Sequence, residues 1–130
     1  MKAATQFRVA LTVSDIEKAL SFFRDALGLA VQEEWSTQGR GVVLSIKLAT
    51  LEILDQEHAA FVDSIEAGRR ISGQVRFAFE VSNLQEAIVE AKEAGVQFVN
   101  GPIETPWKDV NARFLGPDGL QVTLFQPVKK

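Results

Sequence analysis

His58 is the only histidine in the chain, and it stands close to two carboxylates, Asp55 and Glu57. One imidazole with acidic neighbours can bind a metal weakly, but a tight site needs three or four convergent donors, so His58 reads more simply as a solvated polar residue. Cysteine is absent, which rules out a disulfide framework, a thiolate metal site and a cysteine nucleophile. A serine, histidine and acid arrangement cannot be assembled around this one histidine, so the sequence gives nucleophilic hydrolysis little support. The remaining candidates are residues that bind. Arg8 and Arg76 are guanidiniums that could grip an anionic group, and Arg113 is a third such cation. Trp35 and Trp107 offer flat indole surface for a planar ligand, although a tryptophan at a strand or loop boundary is as often packing.

Two segments that match at a constant offset must position these residues. Arg8 to Asp15 alternates as a half-buried strand does, with Val9, Leu11 and Val13 on one face and Arg8, Ala10 and Thr12 on the other. Ser14 and Glu17 form a capping box, Ile16, Ala19, Leu20, Phe23, Ala26 and Leu27 follow at helical spacing, and Gly28 closes the helix. Arg76 to Asn83 repeats the plan. Phe77, Phe79 and Val81 share a face, Ser82 and Gln85 form the box, Leu84, Ala87, Ile88 and Ala91 make the stripe, and Gly95 ends it. Such agreement in strand, cap and stripe marks an internal duplication.

Short strands follow each helix. They are expected around 30–35, 42–48 and 51–55 in the first half and around 97–100, 111–115 and 121–126 in the second, with Gly39 and Gly41 as turn punctuation and Gly116 to Gly119 as a tight turn. Module one spans about 5–55, a linker about 56–73 and module two about 74–128, within one domain. Ala59, Ala60, Phe61, Ile65 and Ala67 suggest a short helix in the linker, packed over the seam. Phe7, Phe22, Phe23, Phe77, Phe79 and Phe114 read as core. The expectation is an α+β fold of two tandem βαβββ modules whose curved mixed sheets enclose a cleft.

Composition narrows the setting. The 130 residues are 46% hydrophobic and 24% charged with a net charge of −3, which suits one compact domain with a sizeable core. Charges of both signs are interspersed and form no basic stripe, so nucleic acid is an unexpected partner. No apolar run reaches the roughly 18 residues that cross a bilayer, and the start carries no leader-like pattern. A cytoplasmic protein without membrane contact is expected.

The run Arg8 to Leu29, with Val13-Ser-Asp15 and Phe22-Phe-Arg-Asp-Ala-Leu-Gly28, resembles the opening of vicinal oxygen chelate proteins: glyoxalase I, extradiol dioxygenases, and bleomycin- and fosfomycin-resistance proteins. Phe114-Leu-Gly-Pro-Asp-Gly119 with Gln121-Val-Thr-Leu124 is similar to the family's ending. The resemblance implies paired modules, usually in a homodimer. It also implies a metal held by a histidine on the first strand and a glutamate on the last strand of each half. Those four positions fall here on Arg8, Glu52, Arg76 and Thr123, of which only Glu52 is a metal-ligand type. A protonated guanidinium has no lone pair to give and repels a divalent ion. The chain is therefore expected to carry no metal and no other cofactor.

Two readings of the substituted positions stay open. Arg8 and Arg76 could leave surplus positive charge for an anionic ligand beside Glu52, or the three could form a bridge that fills the vacated place, since a buried charge persists when paired. Glu80, also on the concave side, favours the bridge. Trp107, in Glu104-Thr-Pro-Trp-Lys108, resembles the Pro-Trp pair of bleomycin-resistance proteins, with Lys108 where a glycine is usual; Trp35 lies near another ligand-facing aromatic of that group. Arg8, Trp35, Glu52, Arg76, Trp107, Arg113 and Thr123 are accordingly the candidate ligand-binding residues, with no catalytic residue among them. The reading that follows is a metal-free protein that sequesters a planar or amphipathic small molecule, an anionic one if the arginines are unpaired. The alternatives are a metal-dependent lyase or dioxygenase with atypical ligands, and a non-catalytic structural or regulatory dimer.

Overall fold

The computed structural model describes residues 11, 14–36, 40–47, 49 and 56–128. Arg8, the opening strand, Glu52 and the strand expected at 51–55 lie outside the described residues.

The first module begins with helix α1, Ile16–Leu20, which continues as a π-helical segment, Ser21–Ala26. Strands β1, Ala30–Trp35, and β2, Gly41–Ser45, then pair antiparallel. Helix α2, Gln56–Glu66, occupies the linker where a helix was expected. The second module is complete: β3, Arg76–Glu80; α3, Leu84–Glu93; β4, Gln97–Glu104; β5, Asp109–Leu115; and β6, Gln121–Pro127. Its sheet runs in the order β3-β6-β5-β4, with β3 parallel to β6 and the other pairs antiparallel. The arrangement is the mixed α+β fold read from the sequence.

Alternation along the strands divides this sheet into two unlike faces. Phe77, Phe79, Phe114, Val122 and Leu124 point to the side that carries α3 and the π-helical segment, where they join Phe22, Phe23, Leu84, Ile88 and Ala91 in the core. Arg76, Asn111, Arg113, Gln121 and Thr123 point the other way, and α2 packs against β4 and β5.

Both N-caps fall one residue later than the capping boxes imply. Asp15 rather than Ser14 accepts from the Lys18 amide, and Asn83 rather than Ser82 accepts from the Glu86 amide. A carboxylate or amide oxygen reaches the orphan N–H as well as a hydroxyl does. Ser14 is thereby released, and both its amide and its hydroxyl donate at 2.7 Å to Asp118 in the turn before β6, tying the start of module one to the end of module two. Gly95 ends α3 as expected: with φ at +82°, it lets the Gly95 and Val96 amides reach the Lys92 and Ala91 carbonyls. Gly41, expected as turn punctuation, instead heads β2.

One glycine is held by contact as well as by conformation. Gly101 in β4 has φ at +112°, and a Cβ placed there would lie 2.7 Å from the Asn111 carbonyl oxygen and 2.9 Å from the Ala112 Cα. Backbone atoms of a central strand cannot yield, so Gly101→Ala should destabilise the protein by about 2–4 kcal/mol. Gly73→Ala, with nothing within 4 Å of its Cβ, should change stability little. Urea unfolding of the two variants compares them directly; equal midpoints would contradict the packing described.

Candidate functional site

The polar face of the second sheet is built around Arg113, which is 0% exposed. Its guanidinium Nη1 donates to Asp63 Oδ1 at 3.0 Å, Ser72 Oγ at 3.0 Å and Gln121 Oε1 at 3.2 Å, while Nη2 donates to Glu66 Oε1 at 3.1 Å. Asp63 and Glu66 are 1% and 2% exposed and come from α2. Three residues apart on a helix, they share the buried face with Val62. A buried charge needs a partner, and here two carboxylates meet the arginine across 47 and 50 residues of sequence.

The loop after α2 completes the enclosure of Asp63. Its Oδ2 accepts from Arg70 Nη1 and the Ile71 and Ser72 amides at 2.8–2.9 Å, and its Oδ1 accepts from Ser72 Oγ at 2.7 Å. Burial alone raises a carboxyl pKa, but the donors from Ser72, Ile71 and Arg70 outweigh it and hold Asp63 well below the usual carboxylate range.

Glu66 links Arg113 to the position of the family's last-strand ligand. Thr123 Oγ1 donates to Glu66 Oε1 at 2.6 Å and accepts from Arg76 Nη1 at 3.0 Å. Asn111 Nδ2 donates to Glu66 Oε2 at 3.0 Å, and Asn100 Nδ2 to the Glu66 carbonyl. The structure thus brings together Arg76, Thr123 and Arg113 from the sequence-derived set, and adds Asp63, Glu66, Asn111 and Gln121. Among the described residues, no group of three or more histidines, cysteines, aspartates or glutamates could hold a metal ion. Of the two metal positions described, one is a guanidinium and the other a hydroxyl committed to Glu66, so these residues do not suit a divalent ion.

Trp107 lies beside this face in the turn between β4 and β5. It is 39% exposed, and its ring centroid is 6.4 Å from that of Phe61 on α2, which is also exposed. Lys108 holds φ at +71°, a conformation in which glycine is at ease. The resemblance had put a glycine at this position, and the turn keeps the glycine's backbone without the glycine. Trp35 is in β1, its side chain outside the described set, and Arg8 and Glu52 are outside it altogether. A cleft of about 310 Å³ opens at the other end of the fold, between Lys18, Phe22, Val96, Leu115 and Pro117. None of the described candidate residues lines it.

The sequence profile of the glyoxalase/bleomycin resistance protein/dioxygenase superfamily matches residues 5–124. The chain belongs to that superfamily. A search of curated proteins found no match. Solved structures with the same fold include a glyoxalase-family protein from Bacillus cereus, 16% identical with a TM-score of 0.71 over 99% of this chain and 97% of that one. A superfamily member from Sphaerobacter thermophilus is 26% identical with a TM-score of 0.62, covering 95% and 98%. A Streptomyces protein described as antibiotic-binding is 22% identical with a TM-score of 0.63, covering 98% and 99%.

Sequence reasoning missed Asp63 and Glu66. The signal was available, since positions 59, 62, 63 and 66 fall on one helical face with two alanine- or valine-sized residues beside the acids. The apolar stripe drawn instead through Phe61 and Ile65 puts Phe61 inside, whereas it is exposed.

The depressed Asp63 carboxyl carries a pH signature. A group whose pKa is lower folded than unfolded stabilises the fold above its unfolded pKa of about 3.9, and that contribution disappears as pH falls toward the folded value. Asp63→Asn should therefore be less stable than the native protein at pH 7, and the gap should narrow as the pH drops below about 4. Urea midpoints for both proteins from pH 7 to pH 2.5 would show it; a gap that stayed constant would contradict the assignment.

Proposed function

We propose that the chain is a metal-independent small-molecule-binding protein that sequesters a planar or amphipathic ligand at the exposed border of the second module's polar face, beside Trp107 and Phe61. The observation that carries this reading is Trp107, left exposed with Phe61 at the border of a face whose ionic groups are largely occupied by one another. An indole with free surface beside a rigid, hydrogen-bonded floor offers stacking area at little rotamer cost. Sequestration needs affinity and no chemistry, so Arg76 and Thr123 in the ligand positions are no obstacle to it. The antibiotic-binding Streptomyces protein lends support by analogy of fold, since the same architecture there serves binding. Arg113 contributes by fixing the floor, with its guanidinium engaged by Asp63 and Glu66.

The working form is taken to be a homodimer in the cytoplasm. β4 is one of the two edges of its sheet among the described residues, and an unpaired edge favours a protein partner. No helix among the described residues is long and apolar enough to cross a membrane.

Aromatic antibiotics and metabolites screened by tryptophan fluorescence should yield a saturable quench or shift. Trp107→Ala should weaken that binding by several-fold to about a hundredfold while leaving the melting temperature nearly unchanged, because a rim indole supports little of the core. A screen without any saturable response, or a Trp107→Ala protein that unfolds, would overturn the reading.

A further inference from the structure

Helix α2 lies on the second module's sheet without joining the core beneath that sheet. The buried apolar cluster draws on α1, the π-helical segment, α3, β5 and β6, and among the described residues neither its members nor the side chains packed against it come from α2. Val62 is the buried apolar side chain of the helix, and the buried positions beside it are the acids Asp63 and Glu66. Phe61 and Ser64 face outward. The sheet surface under α2 is polar in turn, with Asn111, Arg113, Gln121 and Thr123 all buried.

A helix seated in this way is held by ion pairs and hydrogen bonds more than by apolar burial. Buried ion pairs gain little over the same charges in water, so lifting α2 exposes little apolar surface and returns its acids to solvent. Its 11 residues also fall short of the roughly 12–15 at which an isolated helix holds in water. Detachment and melting of α2 therefore go together, as one unit smaller than the whole fold.

What α2 would leave behind is a complete set of donors for one carboxylate. Glu66 Oε1 accepts from Arg113 Nε at 3.3 Å, Arg113 Nη2 at 3.1 Å and Thr123 Oγ1 at 2.6 Å, and Oε2 accepts from Asn111 Nδ2 at 3.0 Å. Asn111 and Arg113 are two residues apart on β5, and Thr123 stands opposite Arg113 on β6. These donors stay on the sheet when the helix leaves. Asp63 goes with it, together with the Arg70, Ile71 and Ser72 groups of the following loop that bind it. Arg113 then keeps Gln121 and loses both carboxylates. A guanidinium so stripped, beside two neutral donors, is preset for an oxyanion.

We infer that α2 is a latch: it opens as a unit while the core stays folded, and the donors it vacates take the carboxylate of another molecule in place of that of Glu66. The inference goes beyond the binding role proposed above and does not depend on it, since neither Trp107 nor a planar ligand enters. Tethering gives Glu66 a high effective concentration, so weak competitors are kept out and a small carboxylate holds open a minor fraction of the protein.

Native-state hydrogen exchange on the full-length protein reads the latch directly. Amides of α2 should exchange at least about tenfold faster than those of α3 and β6, with a weaker urea dependence because their opening exposes less surface. Sodium acetate, compared with sodium chloride at equal ionic strength, should speed exchange in α2 several-fold and leave α3 unchanged, since it binds the open form. Exchange of α2 and α3 at one rate with one urea slope would overturn the latch. An α2 that opens separately but ignores acetate would overturn the carboxylate site. Glu66→Ala supplies a second readout, because it removes the tethered carboxylate and keeps the donors of the sheet. Acetate should raise the melting temperature of that variant over its value in chloride, by more than any rise in the native protein; equal rises would count against the site. Should the variant not fold, the acetate effect on exchange in the native protein decides.

Discussion

The ion pairs of Arg113 with Asp63 and Glu66 govern what the second module can do. They are fully buried, with N to O distances of 3.0 and 3.1 Å. Desolvating three charges is costly, and mutual attraction repays it only where the remaining hydrogen-bonding capacity is met. Here Ser72, Gln121, Thr123, Asn111 and the Ile71 and Ser72 amides meet it. A network of this kind contributes geometry more than net stability. Its partners are specific, so α2 can seat on the sheet in one register, and loss of one member costs about 3–5 kcal/mol by leaving the others buried unpaired.

The seating of α2 shapes the rest of the face. By turning Asp63 and Glu66 inward, the helix presents Phe61 outward to meet Trp107. By drawing Glu66 over Thr123 and Arg76, it occupies the place where catalytic relatives are expected to hold a metal. A lyase or dioxygenase built on this chain would need donors that Arg76 and Thr123 do not supply. The opposite face of the same sheet is an ordinary apolar core, with Phe114, Val122 and Leu124 fully buried. One sheet thus carries an apolar core on one side and a buried polar network on the other, by the two-residue alternation of its strands.

Local periodicity made much of this legible in the sequence. Alternation set Arg76 on the face opposite Phe77 and Phe79, and Gly95 and the Gly116 to Gly119 turn fall where the structure has them. Features set by long-range pairing were hidden. Nothing near Ser14 announces that it will be claimed by Asp118, 104 residues away, leaving Asp15 to cap α1. Arg113 looks like any strand arginine until two linker acids find it. Those acids go unnoticed when the linker helix is read by its apolar residues alone. Asn111 carries no sequence signal, since its bond to Glu66 exists only once α2 is seated on the sheet.

Metal independence, as proposed, means that this superfamily member works without a metal at the position where catalytic relatives are expected to hold one. The most direct measurement is elemental analysis of protein purified without chelator from cells grown with zinc, nickel, manganese and iron. The protein should contain far less than one metal ion per chain, with binding of planar ligands unaffected. A metal found near one equivalent per chain, and lost in Thr123→Ala or Glu52→Gln protein, would contradict it.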